Sequence, residues 1–212
     1  MYNLPYHKER DAQVINAFIE DNPFAFITGC NANNEPIATQ LPLFLENIDG
    51  KQVLRGHLMK NTDHHKAFLH NPKVLVVFSG KHTYVSGTWY SNPHSPSTWN
   101  YMSAHVKGKI KFVNEGELKE MLRKTSLHFE GQDEQSPTVF DNLPESFTKK
   151  MLKLIVSFEI EVTEIDTVFK LSQDRDQESY ENIIKKLNEQ DESGRAIAQE
   201  MEKRKQTLFS KS

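Results

Sequence analysis

The chain has 212 residues, of which 37% are hydrophobic and 26% charged, and its formal net charge is −3. That length suits one sizeable domain or one domain with a helical appendage. The acidic balance excludes a general electrostatic grip on nucleic acid, which needs a basic face to displace counterions. A single cysteine, Cys30, excludes an internal disulfide, and no apolar run reaches the roughly 20 residues that span a bilayer. With no secretory-type leader in view, the expected location is the cytoplasm.

In chain order, Val14, Ile15, Phe18 and Ile19 fall at helical spacing within residues 7–21, and Asn22-Pro23 stops that helix. Residues 24–29 are a short apolar run and residues 31–36 are dense in turn formers. Residues 37–46 read as a strand whose proline, Pro42, marks an edge or a bulge. Residues 47–50 signal a hairpin into a strand over 51–58, so these three runs predict an antiparallel meander. A helix over 61–71, capped by Thr62 or Asn61 and ended by Pro72, leads to the most apolar strand, 73–80.

A further extended segment over 83–90 and a proline-rich loop over 91–98 follow. The next strand, 99–113, sets Ala104, Val106, Gly108, Ile110 and Phe112 against His105, Lys107, Lys109 and Lys111, the period-two signature of a half-buried strand. Residues 114–131 predict a capped helix with Leu118, Met121, Leu122 and Leu127 inward. After a polar loop, residues 144–156 predict a helix with proline in its first turn, and residues 157–165 alternate strictly again. Residues 170–175 read as extended. From Gln177 onward the chain is a highly charged helical tail, with Ile183, Ile184 and Leu187 available to pack on the body or on a second subunit.

Six or seven antiparallel strands with short helices between them do not make the repeated βαβ units of a doubly wound sheet. The predicted class is α+β, mainly β, with a barrel-like sheet and peripheral helices over 1–175 and a helical extension over 176–212. The chemistry-bearing motifs are few. Nine histidines are present, but His64 and His65 diverge on a helix, HExxH is absent and the lone cysteine offers no zinc pair, so no metal site is expected. GxSxG, GxGxxG and GxxxxGK[ST] are absent as well. What remains is cations at strand ends. Arg55-Gly56-His57 ends a strand and Lys60-Asn61 opens a helix, where free amides, a close backbone approach at Gly56 and two cations suit a phosphate as well as they suit a solvated hairpin end. Lys170, Ser172, Gln173 and Arg175 place several donors on one edge. Trp89, Tyr90, Trp99 and Tyr101 suit either stacking on a flat ring, with Asn100 at its polar edge, or burial in a core or interface.

Taken together, the runs MYNLPYH (1–7), NPFAFI (22–27), LPLFL (41–45), LRGHLMKN (54–61), TYVSGTWY (83–90), TWNYMSAHVKGKI (98–110), MLKLIVSFEIEVTEI (151–165) and KLSQDR (170–175) resemble the PaiB-like FMN-binding negative transcriptional regulators, in order and spacing over about residues 1–187. The resemblance implies a split β-barrel related to pyridoxamine phosphate oxidase-like proteins, and a homodimer with FMN in a groove between subunits. It implies Arg55, Lys60 and Arg175 for phosphate charge. Gly56, His57, Asn61, Ser86, Thr98, Trp99, Asn100, Lys170 and Gln173 are the remaining cofactor contacts that it implies. The chain departs from the family pattern in Ser86-Gly87-Thr88-Trp89-Tyr90, where SPSWY is usual and one rigid proline is lost, and at Asp174 in SQDR, and its loop before TWNY is shorter. Two further functions stay open: a flavin reductase or oxidase, resting on the fold alone, and direct DNA binding, for which no recognition helix stands out. Haem handling, found elsewhere in this fold, is a third.

Overall fold

The computed structural model describes residues 2–92 and 94–210, so Met1 of the first motif, Pro93 of the proline-rich loop and the last two residues of the tail lie outside the described residues. Seven strands are found among them: β1 (Phe24–Cys30), β2 (Pro36–Pro42), β3 (Phe44–Ile48), β4 (Lys51–Met59), β5 (Lys73–Val85), β6 (Thr98–Phe112) and β7 (Ile155–Lys170). The helices are α1 (Ala12–Asp21), α2 (Asp63–His70), α3 (Glu115–Phe129), α4 (Glu145–Leu154), α5 (Gln177–Asn188) and α6 (Glu192–Phe209). None of these helices is long and apolar enough to cross a membrane.

The strands form one sheet in the order β2-β1-β5-β6-β7-β4-β3. The meander expected from the sequence is replaced by two separate antiparallel pairs, β1 with β2 and β3 with β4. The predicted strand 37–46 breaks at Leu43, because Pro42 has no amide to continue a ladder and the Leu43 amide donates to Pro23 O at 2.9 Å. One residue thus joins the two outermost strands in the order. A chain can connect opposite edges through one residue only if the sheet curls until those edges meet, which is how a barrel-like sheet limits its exposed edges.

Other boundaries also move. The predicted helix over 7–21 starts at Ala12, after a 3-10 turn over Pro5–His7. The segment 83–90 divides between the end of β5 and a 3-10 turn over Gly87–Trp89. Lys170 ends β7 and residues 171–175 are a turn rather than an extended edge, with Ser172 at φ 62°. Caps explain several helix starts. Asn114 and Glu117 form a reciprocal capping box on α3, while Asp176 and Asp191 accept amides from Ser179 and Gly194 at the starts of α5 and α6.

The chain divides into two compact units. One comprises Ile19–Phe78 and His105–Ile165. Ile27, Leu43, Leu54, Phe68, Val76, Phe78, Phe158 and Ile160 form its innermost core, each side chain contributing about 1.5–3 kcal/mol by leaving water. The other comprises Met1–Phe18, Ser79–Ala104 and Asp166–Ser212. Here the charged tail supplies much of the core: Tyr180, Ile183, Leu187, Ile197 and Met201 are fully buried, and the Tyr180 hydroxyl donates to Met201 O at 2.9 Å. Burial holds that phenol far above its ordinary pKa.

Candidate functional site

The sequence-derived candidates fall into two groups, one in each unit. The first lies on β4 and the turn into α2. Register places Arg55 opposite Glu159 and His57 opposite Ser157. Arg55 is held by carboxylates on both sides, Nε 3.3 Å from Glu159 and Nη1 3.5 Å from Glu46. Lys111 reaches Glu159 at 2.7 Å and Lys124 reaches Glu46 at 2.6 Å, so five alternating charges run Lys124, Glu46, Arg55, Glu159, Lys111. Burial keeps the His57 imidazole below the ordinary histidine value, hence neutral near pH 7. The Ser157 hydroxyl is buried without a hydrogen-bond partner.

Gly56 has a different use from the one expected. A Cβ there would stand 2.7 Å from Leu43 Cδ2 and 3.1 Å from Pro42 O, so the missing side chain makes room for the core and the crossing chain. The α2 start is also less open than expected. His64 N donates to Asp63 Oδ1 at 2.7 Å and His65 N to Thr62 Oγ1 at 3.3 Å, so two leading amides are already satisfied. Asn61 sits at φ 67° and its amide donates to His65 Nδ1. Burial, then the neighbouring His64, Lys60 and Lys66, lower the His65 pKa. Lys60 gives its amide to Leu154 O, and its ammonium has no carboxylate within ion-pair distance among the described residues.

The second group gathers where β6 begins and β7 ends. Lys170 Nζ donates to Thr98 Oγ1 and, at 2.7 Å, to Trp99 O. Burial lowers its pKa, and Asp174 nearby offsets part of that effect. The Trp99 ring is 52% exposed, with His82 and Tyr84 at centroid distances of 5.6 and 6.1 Å. Arg175 lies with its guanidinium carbon 4.4 Å from the Tyr90 ring centre, over a side chain whose buried hydroxyl has no hydrogen-bond partner. Ser86 accepts the Thr88 amide and so fixes the turn that leads to Tyr90.

Two candidates here are turned inward. Asn100 is 0% exposed; its Oδ1 accepts from Ser172 Oγ at 3.0 Å and its Nδ2 donates to Met201 Sδ at 3.5 Å. The Gln173 carboxamide donates to Phe169 O and accepts from Leu171 N at 2.7 Å, with His7 Nδ1 3.2 Å from the same oxygen. These bonds lock the 171–175 turn at its left-handed Ser172. His7, buried and kept below the ordinary histidine pKa by desolvation, was not among the sequence candidates. Nothing local to it announced a partner in the 170–175 turn.

Among the described residues no group of three His, Cys, Asp or Glu side chains could hold a metal ion. The second group instead combines an exposed aromatic face with two cations, Lys170 and Arg175, whose partners are a hydroxyl, a carbonyl and a ring face. That combination suits a flat ligand carrying negative charge.

Residues 1–164 match the family described as "Putative FMN-binding domain". The chain is 34% identical over 207 residues to the Protease synthase and sporulation protein PAI 2 of Bacillus subtilis (strain 168), covering 95% of this chain and 97% of that one. Among solved structures, it is similar to the flavocytochrome Anf3 from Azotobacter vinelandii, with a TM-score of 0.59, 16% identity and coverage of 80% and 72% of the two chains. It is similar also to the FAD and haem binding protein from Mycobacterium smegmatis, with a TM-score of 0.55, 14% identity and coverage of 77% and 73%. At such identities the likeness is one of fold, the α+β split barrel that the curled seven-stranded sheet describes.

Proposed function

This chain belongs to the PaiB-like FMN-binding family, and we propose that it is a homodimeric, flavin-dependent regulator that acts without gripping DNA itself. Its cofactor is FMN, which when bound supplies one- and two-electron redox chemistry. The residues present fit that group. A flavin needs a flat apolar wall and a phosphate needs cations with charge to spare. The exposed Trp99 ring offers the first. Lys170 and Arg175, which have no carboxylate within ion-pair distance among the described residues, offer the second.

The observation that carries the reading is Lys170, an ammonium partly withdrawn from water whose hydrogen-bond acceptors among the described residues are Thr98 and the Trp99 carbonyl, beside the exposed indole. In the proposed groove between subunits, Arg175 and Lys170 serve the phosphate and Thr98 a polar flavin edge. Trp99 and its neighbours form the wall. Arg55, committed to Glu46 and Glu159, positions β4, and Asn100, Gln173 and Ser86 shape the turns that present the other residues.

The regulatory part of the proposal rests on the family resemblance, and its indirect character on the basic run at residues 203–205. Within residues 203–205, Lys203 pairs with Glu200, Arg204 with Glu200 and Glu9, and Lys205 with Glu181. Cations neutralised in this way release few counterions from DNA. The test is flavin stoichiometry and mass: protein incubated with FMN, desalted, then sized by light scattering. One retained flavin per chain on a dimer is expected. A flavin-loaded monomer would overturn the inter-subunit groove. NAD(P)H turnover above that of free flavin would make the protein an oxidoreductase instead.

A further inference from the structure

Away from both groups, the unit built from Ile19–Phe78 and His105–Ile165 contains a cavity of about 520 Å³, a volume within the range of small-molecule sites. Its wall comes from the end of β1 (Thr28, Gly29, Cys30), the start of β2 (Pro36), the start of β5 with the residues before it (Asn71, Lys73, Val74, Leu75), the middle of β6 (Lys107, Gly108, Lys109) and β7 (Thr163). None of these residues belongs to the candidate cofactor groups, and the lining contains no carboxylate.

The polar atoms of this wall are largely spoken for. Thr28 Oγ1 donates to Ile37 O at 3.0 Å, Thr163 Oγ1 donates to Lys107 O at 3.1 Å, and Asn71 Oδ1 accepts from Lys73 N at 3.2 Å. With both hydroxyls turned onto backbone carbonyls, what the threonines present to the cavity is chiefly methyl. Pro36, Val74 and Leu75 extend that apolar bed. Three ammonium groups remain. Lys107 is paired with Glu164 at 3.0 Å, while Lys73 and Lys109 have no carboxylate within ion-pair distance among the described residues. Glu161, whose carboxyl feels Lys109, is itself held by Lys51 at 3.0 Å. A neutral, many-hydroxyl ligand would find too few partners here. An apolar body with one acidic head would match both the bed and the two spare cations.

We propose that this cavity binds an amphipathic carboxylate, its apolar body on Pro36, Val74 and Leu75 and its head between Lys73 and Lys109. Cys30, the single cysteine of the chain, lies in the wall at intermediate exposure and reports occupancy without any added label. The experiment is the rate of Cys30 alkylation by neutral iodoacetamide, followed by intact mass, in the FMN-treated full chain with and without decanoate. At ten times its Kd, decanoate should slow alkylation by about tenfold, the factor that occupancy dictates. Decan-1-ol at equal concentration should protect far less, and the exposed-lysine variant Lys73→Gln/Lys109→Gln should lose the protection by decanoate. An unchanged rate with decanoate overturns the proposal, as does equal protection by the alcohol. So does protection that rises with protein concentration and ignores decanoate, because a second copy would then cover the cavity. Flavin content, read from the same samples, keeps this outcome separate from the fate of the cofactor proposal.

Discussion

Two sets of cations, both expected to contact the same cofactor, are in different electrostatic conditions. On β4, Arg55 is flanked by Glu46 and Glu159, which are in turn bound by Lys124 and Lys111. At the end of β7, Lys170 is bound by a hydroxyl and a carbonyl, and Arg175 covers a ring face. A cation inside an alternating network has spent its field on its neighbours, and moving it breaks several pairs at once. A cation held by neutral acceptors is positioned at little cost to its charge, so that charge is left for a ligand. The difference teaches that position beside a strand end selects candidates, while the partner's charge decides between anchoring and binding.

The comparison can be broken first at Lys170. Lys170→Met should weaken FMN binding by about 1.5–3 kcal/mol, roughly 10- to 150-fold in Kd, while lowering stability by less than about 1 kcal/mol. Flavin fluorescence titration and thermal melts separate the two. Gly56→Ala should do the reverse. Its Cβ would press on Leu43 and Pro42, costing about 1–3 kcal/mol of stability by overpacking, visible as a shifted urea midpoint. Arg55→Met should cost about 1–2 kcal/mol of stability, below the cost for a fully buried ion pair because the site is partly solvated. Its effect on FMN affinity should stay within about threefold, or roughly 0.7 kcal/mol. Trp99→Ala should weaken FMN binding by about 1 kcal/mol through lost ring contact, with the fold unchanged by circular dichroism.

The smallest effect is on pH. Burial lowers the pKa values of His7, His57 and His65, so below about pH 6.5 the unfolded chain binds more protons than the folded one. Stability from this source is complete above about pH 6.5 and falls as the pH drops toward the lowered values. Asp141, lowered by Arg123, and Asp166, lowered by Lys8, add a second loss in acid, below about pH 4. Melting temperatures measured from pH 8 down to pH 4 should therefore fall in the first step before the carboxylate step begins.

How far the sequence could be read follows from the range of each interaction. The alternation through Ala104–Phe112 and Phe158–Thr163 marks strands because a strand's faces are set by adjacent residues, and the Asn114 and Thr62 caps mark helix starts for the same reason. The switch at Leu43 was not legible, since Pro42 signals an interruption but not which strand the chain joins next. The turn at Ser172 hides because a left-handed serine has no local signature; the adjacent Gln173 locks it together with Asn100 and His7, which come from separate parts of the chain. The residue types of the site could be read, but their pairing could not. Arg55 meets Glu159 only through the β4–β7 register, and only that meeting separates it from Lys170.

The most direct measurement is an FMN titration of the wild type, Lys170→Met and Arg55→Met side by side, on protein first shown to be folded. The account predicts that the wild type and Arg55→Met bind FMN with Kd values within about threefold of each other and that Lys170→Met is weaker by about tenfold or more. A folded wild type that takes up no flavin, or a loss of affinity confined to Arg55→Met, would contradict it.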